Sequence, residues 1–300
     1  MSESSGSSPD IKWAEVESSL NNLTQVDGGF TAAHRGIVKL TDGQEIFVKV
    51  GVDEDTKKWA HTEVQMYRFL QRHDYPFVPT LLAVNNDETS FALEVLKSGD
   101  GWDWSGISTS DRLAKTLEAM DLLASMTPAD PLKEGIDTKT IFEYDDGWQA
   151  FMKFPERQRA LTTKLRGNNQ AQLAESLDFA TMAEQSNRFV LNDDSLVHND
   201  VRGDNCAWNP KLQTVKLVDW NWAGLGDRRI DVNAVLVSAQ KNGLDVMHDY
   251  ADRLDVNALK WLAGFWFNGA ATPIWPGGPE SLRDFQLQTG VVALDLANKL

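Results

Sequence analysis

The hydrophobic pattern of the chain changes near residue 97, and this change limits the folds open to it. Before that point, β-rich runs alternate with turn signals around one stretch of helical spacing at 55–72. After it, helical spacing dominates. We predict helices there over 111–126, 147–165, 170–185, 231–242, 257–267 and 280–299. The sequence therefore predicts an α+β fold, with a small sheet carrying one helix, a hinge over 97–106 and then a helical domain.

Three hairpins are predicted. An Asp-Gly pair at 42–43 joins strands over 30–40 and 45–50, and a polar turn at 85–88 joins strands over 78–84 and 90–96. The third hairpin, over 206–208 and 214–219, interrupts the helical part. The first two indicate a mostly antiparallel sheet in the first 97 residues.

Composition restricts the function classes. The chain has 300 residues, 42% of them hydrophobic, which suffices for a sizeable core. Its 44 acidic and 29 basic residues give a net charge of -15, which argues against nucleic acid or a membrane surface as a partner. The single cysteine, Cys206, rules out an internal disulfide and a Cys-rich metal site. We expect a cytoplasmic protein whose Ser-rich residues 1–10 form a disordered leader.

One segment carries a pattern suited to phosphoryl chemistry. It reads H-x-D-x-x-x-x-N from His198 through Asp200 to Asn205, and a strand ending at Asp219 follows. Antiparallel pairing brings Asn205 and Asp219 side by side, and two hard oxygen donors there suit Mg²⁺. Asp200, on a tight loop, can accept a proton from a hydroxyl that attacks phosphorus.

This segment resembles the catalytic loop of the aminoglycoside phosphotransferase and choline kinase family, which reads H-G-D-x-x-x-x-N. The forms D-x-R-x-D-N and V-D-W-x-W-A are similar to an actinobacterial branch of that family. Asn199 departs from the family's glycine, a position where Asn tolerates unusual backbone angles. The resemblance spans roughly 30–242. It implies a bilobal protein-kinase-like fold, with a nucleotide-binding N-lobe over 11–97 and a helical C-lobe over 98–300.

The resemblance also implies the roles of residues that would hold the nucleotide. Lys49 matches the lysine that binds the nucleotide phosphates, and Glu63 matches its helix partner. Glu94 to Leu96 stands where hinge backbone would hold adenine. Gly28 and Gly29 are the only candidates for a glycine-rich loop, and two glycines are a weak signal.

A second group of residues would carry the chemistry. By the same resemblance Asp200 is the base, Asn205 and Asp219 are Mg²⁺ ligands, and Asp231 braces the catalytic loop. Arg202, two residues after the base, could neutralise charge on the transferred phosphoryl group.

The implied reaction is ATP- or GTP-dependent phosphorylation of a hydroxyl on a small molecule, with Mg²⁺. An aminoglycoside or another hydroxylated natural product ranks first as acceptor, a sugar or nucleoside second, and a choline-like amine third. A protein substrate is disfavoured because only eleven residues separate Asp219 from Asp231. The alternative is a non-catalytic nucleotide-binding regulator on the same fold. The sequence does not indicate an oligomeric state.

Overall fold

A computed structural model of the protein describes residues 11–26, 31–138, 146–275 and 278–300. The predicted leader over 1–10 and the candidate loop glycines Gly28 and Gly29 lie outside these ranges. The first part of the chain forms a five-stranded antiparallel sheet in the order β1-β2-β3-β5-β4. Its strands are β1 Thr24–Gln25, β2 His34–Lys39, β3 Glu45–Val50, β4 Leu81–Val84 and β5 Ser90–Glu94.

The turn at Asp42-Gly43 sets the register of the sheet. Gly43 takes a φ of 92°, which glycine adopts at no steric cost, and the strands then pair Arg35 with Lys49. Side chains alternate between the two faces of the sheet along β3. Ile46 and Val48 therefore point into a buried core under the first helix, α1 (Trp13–Ser19). Phe47 and Lys49 consequently face the other side of the sheet.

Helix α2 (Glu54–Arg72) connects the sheet to the rest of the molecule. It begins with a capping box, because the Asp53 side chain accepts from the Thr56 N–H while Thr56 accepts from the Asp53 N–H. Its apolar face belongs to the same buried cluster as the helices that follow. The two lobes therefore share one core along this helix.

The remaining helices build the larger lobe. They are α3 Ser110–Ser125, α4 Gly147–Lys153, α5 Pro155–Gly167, α6 Ala171–Ser176, α7 Phe179–Asn187, α8 Arg228–Lys241, α9 Val246–Asp249, α10 Val256–Ala271 and α11 Ser281–Lys299. Among the described residues, no helix is long and apolar enough to cross a bilayer. The predicted α+β fold with an antiparallel sheet and a helical lobe is confirmed.

Two predicted helices are each split in two. The helix expected over 147–165 breaks before Pro155, which has no N–H to donate and forces Phe154 out of the helical region, to φ −127° and ψ 81°. The helix expected over 170–185 breaks at Asp178. The side chain of Asp178 accepts from the backbone of Ala180 and Thr181 and so starts a new helix.

Two short antiparallel pairs lie at the junction of the lobes. The predicted hairpin forms as β7 (Cys206–Asn209) and β8 (Thr214–Leu217). A second pair, β6 (Ser195–Val197) with β9 (Gly224–Gly226), was not predicted. Together they frame the loop over 198–205 and the turn over 218–223, the two segments that carry the sequence motif.

Candidate active site

A cleft of about 440 Å³ lies between the sheet and the β7–β8 hairpin. Its walls are mainly apolar and carry a smaller set of polar groups, a composition typical of sites that bind small molecules. The apolar lining is Val26, Ile37, Phe47, Tyr67, Pro79, Phe91, Leu93, Val95, Leu96, Trp104 and Val218. The polar lining is Arg35, Lys49, Glu63, Glu94, Asp204, Asn205 and Asp219.

Lys49 is the centre of a buried charge cluster in this cleft. Its ammonium donates to Oε1 of Glu63 on α2 and, at 2.7 Å, to Oδ1 of Asp219. Burial alone would lower the pKa of Lys49, but the two carboxylates raise it, so the side chain stays charged. Burial raises the pKa of Glu63 to about 7, whereas Lys49 outweighs burial at Asp219 and holds its pKa below the usual value. Of the two carboxyl groups that contact Lys49, that of Asp219 is therefore the one that is fully ionised at neutral pH.

The loop over 198–205 is held in place from behind. Asp231, in the first turn of α8, accepts from the backbone N–H of His198 at 3.0 Å and of Asn199 at 2.9 Å. Asn199 takes a φ of 63°, the left-handed region that Asn tolerates. Buried His198 donates from Nε2 to the Val218 carbonyl at 3.0 Å. Burial lowers the pKa of His198 to about 4, so it is a neutral structural group.

Asp200 lies beyond Asn205, outside the lining of the cleft. Asn205 Nδ2 donates to both the carbonyl and the Oδ2 of Asp200, each at 2.9 Å. Burial raises the pKa of Asp200 to about 7, although the nearby Arg202 charge opposes the rise. A carboxylate with a pKa near neutrality is suited to accept a proton during the reaction.

Arg202 bridges the loop electrostatically. Its Nε lies 3.3 Å from an oxygen of Asp200 and 3.3 Å from an oxygen of Asp204. Its guanidinium also lies over the ring of Phe285 on α11, at 5.4 Å, and the Lys241 ammonium approaches the same ring at 3.8 Å. Two cations, Arg202 and Lys241, thus lie between the loop over 198–205 and α11.

The backbone segments that carry the predicted metal ligands lie next to each other. The Val218 N–H donates to the Asn205 carbonyl at 3.0 Å, so Asn205 and Asp219 lie on adjacent backbone segments. Because both partners of Asn205 Nδ2 are acceptors, the amide nitrogen must face Asp200 and the amide oxygen is left for a cation. This pair fits Mg²⁺, which uses few protein oxygens and completes its shell with phosphate and water. Within the described ranges, no group of three His, Cys, Asp or Glu residues is placed to hold a metal alone.

The predicted hinge residues form another part of the cleft wall. Glu94, Val95 and Leu96 all line it, but the Glu94 side chain turns away toward Lys216, at 3.8 Å. The Glu94 carboxylate therefore has a charged partner, Lys216, that lies outside the cleft lining. Roles for Glu94, Leu96 and the two glycines stay predictions.

Arg35 and Trp104 are among the cleft residues that sequence reasoning did not single out. Arg35 is the cross-strand partner of Lys49, and its charge helps to lower the pKa of Asp219. The Asp-Gly turn could have located it, because positions 35 and 49 are equidistant from residue 42. Trp104 comes from the loop after the hinge, where no sequence signal indicated a role at the site.

Comparison with known proteins identifies the family. The sequence profile of the phosphotransferase enzyme family (APH) matches residues 22–265, most of the chain. The chain belongs to this family. The resemblance stated from the motifs is thereby confirmed, and a search of curated proteins found no match.

Solved structures of similar fold include several kinases of small molecules. An aminoglycoside phosphotransferase from Alicyclobacillus acidocaldarius is 15% identical, with 99% of this chain and 96% of that chain covered and a TM-score of 0.55. The choline kinase LicA from Streptococcus pneumoniae is 12% identical, with coverage of 93% and 97% and a TM-score of 0.54. An ethanolamine kinase from Plasmodium vivax is 9% identical, with coverage of 92% and 82% and a TM-score of 0.51. At these identities the likeness establishes the fold.

Proposed function

We propose that this phosphotransferase is a Mg²⁺-dependent kinase. It transfers the γ-phosphoryl group of a nucleoside triphosphate, with ATP as the preferred donor, to a hydroxyl of a small molecule. The observation that carries the proposal is the presence of Lys49, Asp219 and Asn205 together in the lining of the cleft, with Asp200 hydrogen-bonded to Asn205. The side-chain amide of Asn205 thus separates the proposed phosphate-binding groups from Asp200, the proposed proton acceptor.

Each group of residues has a separate role. The apolar walls and the hinge backbone contact the nucleobase, and Lys49 and Arg35 face the phosphates. Mg²⁺ bound by Asn205 and Asp219 would neutralise phosphate charge. Asp200 accepts the proton of the acceptor hydroxyl while the oxygen of that hydroxyl forms a bond to the γ-phosphorus. The bond between the γ-phosphorus and the oxygen that bridges to the β-phosphate breaks at the same time. Arg202 offsets charge on the phosphoryl group in transit.

For the acceptor, we propose an aminoglycoside or another hydroxylated natural product first. The net charge of -15 concentrates cationic compounds around the protein, and one similar structure is an aminoglycoside phosphotransferase. Sugars and nucleosides rank second. Choline-like amines rank third, although two similar structures are choline and ethanolamine kinases.

The test is a panel of these acceptors incubated with MgATP, with ADP release measured and mass spectrometry used to detect one added phosphate. Asp200→Asn serves as the control, since it keeps size and polarity but does not accept the proton. Phosphate on a small acceptor from the wild type alone supports the proposal. Intact MgATP binding with no transfer to any panel member would favour the non-catalytic regulator, and transfer only to proteins would overturn the acceptor class.

A further inference from the structure

The loop after the hinge makes a contact that phosphoryl transfer does not explain. Trp104 Nε1 donates a hydrogen bond to the backbone carbonyl of Leu96 at 3.1 Å, and both residues line the cleft. Among the residues that the structure describes, no acceptor pairs with the Leu96 N–H. The hinge therefore offers a nucleobase one free donor, the Leu96 N–H, next to a carbonyl acceptor that already receives one hydrogen bond.

Trp104 is presented by a firmly anchored segment. Asp103, the preceding residue, exchanges two backbone hydrogen bonds with Trp208 of β7, at 2.7 and 2.9 Å. The Asp103 carboxylate also accepts from the N–H and the hydroxyl of Ser105, at 2.8 and 2.9 Å. These four bonds hold the backbone on both sides of Trp104 and so place its side chain next to the hinge.

The two purine bases differ in what they need from such a hinge. Adenine presents the acceptor N1 beside a donor amino group, whereas guanine presents the acceptor O6 beside two donors, N1–H and the 2-amino group. The free Leu96 N–H can pair with adenine N1 or with guanine O6. Guanine held through O6 would point its N1–H toward the Leu96 carbonyl, where it would share the oxygen with the Trp104 N–H. Two donors compete for one carbonyl oxygen, so guanine gains less from this contact than it would from a free carbonyl.

We propose that Trp104 makes this site selective for adenine over guanine nucleotides. The inference rests on the proposed function, because it assumes that the cleft binds a purine nucleotide. The weakening of one hydrogen bond lowers the affinity for a guanine nucleotide by about 3- to 10-fold relative to adenine.

Titration calorimetry of MgADP and MgGDP with the full chain tests this without requiring an acceptor. Trp104→Phe keeps an aromatic wall but removes the N–H and frees the Leu96 carbonyl. Trp102→Phe is the matched control, because Trp102 lies on the same loop and its indole donates to no other described residue. We expect the wild type and Trp102→Phe to prefer MgADP by about 3- to 10-fold, and Trp104→Phe to lose most of that preference by gaining affinity for MgGDP.

The outcomes separate the two proposals. Equal binding of MgADP and MgGDP by the wild type would overturn the selectivity inference and leave the kinase proposal standing. So would a preference that Trp104→Phe keeps, or one that Trp102→Phe loses to the same degree. Binding of neither nucleotide by a folded protein would overturn the proposed function, and the selectivity inference with it.

Discussion

Replacing Asp200, the candidate general base, should slow catalysis and stabilise the folded protein. Asp200→Asn keeps the hydrogen bonds from Asn205 but removes a carboxyl whose pKa burial raises to about 7, from 3.8 when solvated. Arg202 retains Asp204, 3.3 Å away, as an acidic partner. The variant should lose about 10²- to 10⁴-fold in turnover.

The expected gain in stability follows from proton linkage. A carboxyl with a raised native pKa favours folding below pH 3.8, and this contribution is lost as the pH rises toward about 7. At about 1.4 kcal/mol per pH unit, the cost of ionisation grows by at most about 3 kcal/mol between pH 5 and pH 8. Because 27% of the Asp200 side chain stays accessible, we expect about 1–2 kcal/mol, or about 3–6 °C in Tm.

Thermal unfolding at pH 5 and pH 8, beside a steady-state kinase assay, measures both effects. The matched control is Asp204→Asn, which removes a carboxylate from the same loop whose side chain is 51% exposed and so remains hydrated. We expect the Tm of Asp200→Asn to exceed that of the wild type at pH 8. At pH 5 we expect a much smaller difference between the two Tm values. Equal Tm shifts in the two variants at pH 8 would refute the burial argument, and retained turnover would refute the assignment of the base.

Three further predictions follow from the same cleft. The kcat/KM of the wild type should fall as the pH drops through about 7, because Asp200 becomes protonated, and a profile flat from pH 5 to 8 would contradict this. Asp219→Asn should weaken MgATP binding more than Asn205→Ala in calorimetry, since it removes a charge that both Mg²⁺ and Lys49 require; the reverse order would exclude Asp219 as the main ligand. Glu63→Gln should raise the KM for ATP by about 10-fold rather than abolish binding, because Asp219 still holds Lys49 at 2.7 Å, and an unchanged KM would leave Glu63 without a role.

The sequence was most informative where a local pattern determines a local geometry. The H-x-D-x-x-x-x-N segment and the hairpin after it placed Asn205 and Asp219 on adjacent segments, as the Val218–Asn205 backbone bond shows. The Asp-Gly turn likewise fixed the register that puts Lys49 on the cleft side of the sheet. In both cases the geometry follows from pairing rules that span fewer than twenty residues.

Prediction failed where the outcome depends on competition or on distant contacts. Helical spacing continues through Pro155 and Asp178, but a missing donor at one and a side-chain cap at the other divide the helices. The β6–β9 pair joins segments almost thirty residues apart and has too few residues to leave a pattern. The Trp104 indole reaches the hinge only because Asp103 pairs with Trp208, a contact that spacing does not encode.

The central claim is that Asn205 and Asp219 hold the metal of a bound nucleotide while Asp200 faces the transferred phosphoryl group. Crystals grown with Mn²⁺ and a non-hydrolysable ATP analogue test it directly, because anomalous scattering locates the cation. The account predicts a peak about 2.1 Å from Asn205 Oδ1 and from an Asp219 carboxylate oxygen, bridging the nucleotide phosphates, with Asp200 on the far side of the γ-phosphate. A nucleotide bound in the cleft with its metal held by other residues, or with the γ-phosphate pointing away from Asp200, would contradict it.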